Sequence, residues 1–99
     1  TQLTGLLTQA QIQAEREDWD QASHLTQQAK ERWVNHEGYL HITLRHTDID
    51  AILISFNEAL AFLEAGEHQS AEYPAVNARL ITQLELIFEA ELPTLTNLL

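Results

Sequence analysis

The chain has no cysteine and no methionine, and only five of its 99 residues are lysine or arginine. Without cysteine there is no disulfide, no thiolate metal site and no cysteine nucleophile, and the redox compartment stays open. Without a methionine even at position 1, the chain is expected to begin after a processing event, with a segment upstream of Thr1. No run approaches the roughly 18–20 apolar residues that a membrane span needs. Five cations stand against fifteen carboxylates, for a net charge of −10. Nucleic acid and anionic lipid both require basic surface, so that balance argues against each as a partner. It leaves basic proteins, cations or plain solubility, and the five histidines would soften the charge below about pH 6.

What is present is helical periodicity. In the stretch Thr47 to Leu63, the residues Ile49, Ile52, Leu53, Phe56, Leu60 and Leu63 recur at three- and four-residue steps and fall on one stripe of an α-helix. Thr47 stands where an N-cap hydroxyl is wanted, Asp50 three residues on completes a capping box, and Gly66 marks the end. Ala51, Ile54, Ala61 and Phe62 lie away from the stripe. A helix that is apolar on more than one side is expected to have more than one neighbour, so this one is taken as central.

An earlier helix carries Leu3, Leu6, Leu7, Ala10 and Ala14. A turn follows at Glu17-Asp18, with Asp18 as N-cap of the next helix. That helix bears Ala22, Leu25, Ala29, Trp33, His36, Leu40 and Leu44 in one phase. The phase survives Gly38, so the helix is expected to run unbroken from Trp19 to about His46, the alternative being a break at Asn35–Gly38. Residues Ala65 to His68 form a tight connection. A last long helix is expected to start near Gln69 or Ser70, with Tyr73, Val76, Leu80, Leu84, Ile87 and Phe88 inward and Pro74 in its first turn or at a kink. Pro93 stops it, and Leu95, Leu98 or Leu99 should pack back on the bundle. Glu15–Ala22 and Glu64–Ala71 share one design, an acidic tight turn followed by a small alanine that permits close helix approach. The fold predicted is therefore all-α: one domain over residues 1–99, an antiparallel four-helix bundle built from two helix hairpins.

Several marks coincide: the acidic turn with Trp19 and Ala22, then Trp33, then His46-Thr47-Asp48-Ile49-Asp50 opening a helix, and the closing Leu95-Thr96-Asn97-Leu98-Leu99. In that order they resemble the bacterial domain-of-unknown-function family numbered 4363, over most of the chain from about Glu15 on. The resemblance implies a short protein with one N-terminal hydrophobic anchor and a helical domain outside the cytoplasmic membrane. It would place that anchor before Thr1, so that the membrane is met only through the missing segment. It supplies no catalytic residues. Pro74 and the histidine-rich run from His36 to His46 depart from the pattern.

Of the residue clusters, His36, His41 and His46 look like ligands, but five residues turn a helix by about 500°, which leaves successive rings about 140° apart. They would converge only if the helix broke near Gly38. His36, between Trp33 and Leu40, reads better as a hydrogen-bonded core histidine. The metal candidates are His46 with Asp48 and Asp50, and the i, i+4 pair Glu37 and His41. Capping explains the aspartates, calcium would need more oxygens than the loop offers, and such pairs are commonly surface ion pairs. Asn77, among Tyr73, Leu80 and Leu84, reads as a buried amide that fixes helix register, the alternative being the lip of a pocket. Ser23, Ser55 and Ser70 have no nucleophile elbow or oxyanion loop, so no catalytic residue is assigned and no cofactor is expected. Trp19, Tyr39, Ile42 and Leu86, with Ile12, fall off or at the ends of the main stripes and are the candidates for a partner patch. The expectation is a non-catalytic, extracytoplasmic interaction or structural module for an unknown protein partner, the alternative being a divalent-cation or small-ligand binder.

Overall fold

The computed structural model describes residues 1–66, 71–90 and 94–99. It is all-helical, with no strand among the described residues. Helix α1 spans Gln2–Glu15, α2 Trp19–Asn35, α3 Glu37–Thr43, α4 His46–Glu64, α5 Tyr73–Ala90 and α6 Thr94–Leu98. The four long helices form a ring of contacts: α1 packs on α2 and α5, and α4 packs on α2 and α5. The short α3 rests against α4 and α2.

The core falls into two clusters. The larger gathers Leu3 and Leu7 from α1, Ala29 and Trp33 from α2, Leu40 from α3, Ile49, Ile52 and Phe56 from α4, Leu80, Leu84 and Phe88 from α5, and Leu95 and Leu99. The smaller holds Ala10, Ala14, Ala22, Ala59, Leu63, Tyr73 and Val76. Its alanines let backbones approach closely, while the bulk of Trp33 and Phe56 fills the other end. Fully burying a side chain of that size stabilises by roughly 1.5–3 kcal/mol. Leu95 and Leu99 are buried as expected, and Leu98 is half-buried. The amide of Leu3, in the open first turn of α1, donates to the carbonyl of Leu99 at 2.7 Å.

Four expectations are corrected. The long second helix is broken at His36, where the backbone passes through φ −103°, ψ 1°. In an unbroken helix the Arg32 carbonyl would accept the His36 amide. Here the His36 ring reaches back and donates from Nδ1 to that carbonyl at 2.7 Å, while the His36 amide turns to Trp33 O. A side chain has replaced the backbone at one rung of the ladder, and Gly38, two residues on, adds a helix cost of about 1 kcal/mol. Second, the N-cap of α4 is Arg45, with no side-chain cap bond, and Thr47 lies inside the helix. The extended backbone at Leu44 and Arg45 starts the helix at His46, before the threonine is reached. Third, the off-stripe face of α4 is covered only in part: Phe62 is half-buried against the smaller cluster, whereas Ala51, Ile54 and Ala61 are exposed. The helix does have more than one neighbour, as expected: α2, α3 and α5 all pack on it. Fourth, Ala71 is exposed in a turn, so the close approach made by Ala22 has no counterpart there.

Pro74 is the second residue of α5, where its missing N–H costs nothing. The expected connection at Glu67 and His68, the helix start at Gln69 or Ser70, and the stop at Pro93 lie outside the described residues.

Candidate functional site

The turn between α1 and α2 is built by backbone geometry. Glu17 adopts φ 60°. Its amide donates to Ala14 O at 3.0 Å, and that of Asp18 to Gln13 O at 2.9 Å. This is a Schellman closure, with a left-handed residue just past the helix end. Asp18 then caps α2 as expected, accepting from the Gln21 amide at 3.2 Å.

Polar side chains stitch the helices together. Asn77 is buried, and its Nδ2 donates to Leu7 O at 2.9 Å and to Gln11 Oε1 at 2.8 Å. Gln11 in turn donates from Nε2 to Pro74 O at 3.3 Å. Both Asn77 partners are acceptors, which fixes the amide orientation and ties α5 to α1. Thr26 donates to Ala22 O at 2.8 Å, which spends its one proton. The 2.6 Å contact with Tyr73 is therefore donated by the phenol. Burial pushes the Tyr73 hydroxyl up to about 12. Ser55, one of the serines considered, is committed to Gln83 Oε1 at 2.9 Å. Arg32 donates to the carbonyls of Leu98 at 2.9 Å and Leu99 at 3.3 Å and so holds α6 on the bundle. Thr26, Gln11, Arg32 and Gln83 were not legible as partners. Only Thr26 left a trace in the sequence, four residues after Ala22 on the same stripe.

The ionisable candidates are less connected. His46, Asp48 and Asp50 lie exposed in the first two turns of α4. No group of three His, Asp or Glu among the described residues is placed to hold one ion. Glu37 is half-buried and its Oε1 has no hydrogen-bond partner among the described residues. Neither Glu37–His41 nor His46–Asp50 forms an ion pair; among the described residues the one pair is Arg79 with Glu58. His41 and His46 instead meet each other, with ring centres 4.6 Å apart.

The apolar candidates divide. Trp19 is half-buried and packs with Leu25 and Phe62 against the smaller cluster, and Ile12 is half-buried too. Ile42 is 84% exposed, Leu86 61% and Tyr39 40%, and Ile54 joins them at 65%. A groove of about 200 Å³ between α4 and α5 is lined by Asp48, Ala51, Ile52, Gln83, Leu86 and Ile87. A larger groove of about 560 Å³ lies over α1 and α2, at Gln2, Gly5, Leu6, Gln9, Gln28 and Arg32. Its one charged group, Arg32, is already bound to the α6 carbonyls, so no reactive set converges there. Among the described residues no helix is long and apolar enough to cross a membrane.

No curated protein and no solved structure matches the chain. The model of one family matches residues 1–98, so the likeness extends through α1 as well. The chain belongs to that family, described as Domain of unknown function (DUF4363).

Proposed function

We propose that this is a non-catalytic protein-interaction module whose docking surface is the α4–α5 groove. The carrying observation is the pair Ile54 and Leu86, 65% and 61% exposed on these two adjacent helices. The groove beside Leu86 reaches Ala51 and Ile87, and Ile54 lies one turn from Ala51. Asp48, Asp50, Glu58, Glu64, Glu85 and Glu89 lie on these helices against one cation, Arg79, which is paired with Glu58. An apolar strip with an acidic surround is complementary to an amphipathic segment carrying one or two aliphatic side chains and a flank of Lys or Arg.

The reading includes an antiparallel bundle of two hairpins. Support comes from the clusters: the start of α1 shares the larger one with the end of α2, the start of α4 and the end of α5. The opposite ends share the smaller one. It also includes a location outside the cytoplasmic membrane, tethered through a preceding anchor, which is supported by the family resemblance.

Photo-crosslinking of the full-length protein in its native membrane tests this, with probes at Ile54, Leu86, Ile42 and Trp19. The expected result is one dominant protein adduct at Ile54 and Leu86, lost in the Ile54→Glu, Leu86→Glu double variant. An adduct confined to Ile42 or Trp19 would move the surface elsewhere. No adduct at any position would end the reading.

A further inference from the structure

We propose that His41 and His46 form a two-imidazole site for a borderline divalent transition ion of the zinc class. In a continuous helix these residues would point about 140° apart. The fold removes that obstacle. Helix α3 ends at Thr43, and Leu44 (φ −113°, ψ 160°) and Arg45 (φ −71°, ψ 144°) are extended before α4 begins at His46. The two extended residues swing His46 back towards His41, and the ring centres come to 4.6 Å with their planes tilted by 43°.

The distance suits a shared ion. An ion about 2.0–2.1 Å from each ring nitrogen lies about 3.2 Å from each ring centre, so two imidazoles on a tetrahedral ion hold their centres about 5 Å apart. A slight opening of the pair is enough. Both residues are exposed, and neither ring makes a hydrogen bond among the described residues, so their nitrogens are uncommitted. His36, the third member of the run, turns its ring back to Arg32 O, and the only ring contact among the described residues is the one between His41 and His46. The chain has no cysteine or methionine, which leaves imidazole as its softest ligand type. A net charge of −10 draws cations to the surface, against the local opposition of Arg45. Two protein ligands leave coordination positions open for water or for a donor from another molecule.

Calorimetric titration of the full chain with Zn²⁺ tests the site, alongside His41→Ala, His46→Ala and, as a control, His24→Ala, an isolated exposed histidine on α2. All three sites are on the surface, and circular dichroism confirms that each variant is folded. Binding of one ion per chain is expected, weakened about tenfold or more by either His41→Ala or His46→Ala and unchanged by His24→Ala. With paramagnetic Cu²⁺ as a second probe, the imidazole resonances of His41 and His46 should broaden before those of the other histidines. No binding would overturn the proposal. So would equal weakening in all three variants, or early broadening spread over all histidines, which would mean an adventitious ion only.

Discussion

Tyr73 is the one large polar side chain sealed inside the smaller core cluster. Its phenol is fully buried and donates to Thr26, whose own proton goes to Ala22 O. With its folded pKa pushed up to about 12 by burial, the neutral phenol is what the fold accommodates. The stability this represents is fully present below the ordinary tyrosine pKa of about 10. It is lost as pH rises through about 12, because the unfolded chain releases the proton first. The span corresponds to a loss on the order of 2–3 kcal/mol. Tyr73→Phe should cost about 1 kcal/mol at pH 7, by leaving Thr26 without its donor. It should also remove most of the decline between pH 10 and 12. Urea midpoints of both proteins across that range check this; parallel curves would disprove it. Asn77 acts at the same scale. Its two donated bonds hold α5 in one register against α1, and a shift of α5 along α1 would strand a buried amide.

At the scale of the element, two helices end in the same way. Glu17 follows α1 at φ 60°, and Gly66 follows α4 at φ 98°. They occupy corresponding places in the repeated turn design. Glycine enters the left-handed region without penalty, whereas a side chain costs roughly 1–2 kcal/mol there. Glu17→Gly should therefore stabilise the protein by about 1 kcal/mol, less the entropy that glycine adds to the unfolded chain. A melting temperature raised by a few degrees would support it, and a lowered one would show that the Glu17 side chain contributes more than its strain. The break at His36 is also an element-scale event: the His36 ring bonds Arg32 O where the helix stops, and the short α3 follows. The new direction brings His41 against His46 and leaves Ile42 in solvent.

For the whole molecule, charge dominates the surface. Fifteen carboxylates against five cations, with a single exposed ion pair among the described residues, leave repulsion largely uncompensated. Compacting like charges costs stability, and salt screens it over a Debye length of about 10 Å at 0.1 M. Raising NaCl from about 10 to 300 mM should raise the melting temperature by about 2–5 °C. A flat or falling curve would mean that the charges are too well spaced to matter. The same field would favour a basic partner at the α4–α5 groove, with association slowed by salt.

The sequence by itself determined the all-helical class, the inward stripes of α1, α4 and α5, the Asp18 cap and the return of Leu95 and Leu99 to the core. The first three follow from local period or from a side chain acting on its own turn, and the last from a tail too apolar to stay in water. The buried amide at Asn77 was legible for the same reason, as a polar residue on an apolar stripe. Tertiary structure alone decided the rest. The phase across Gly38 was continuous, so periodicity favoured one long helix. The structure breaks it at His36, where the ring bonds Arg32 O, a contact that no period records. Ile54 looked like a second buried face because the count of neighbours around a helix is not written in its own pattern. The meeting of His41 with His46 and the hold of Arg32 on α6 join residues whose sequence spacing gives no hint of contact, since each depends on where the chain has been turned elsewhere.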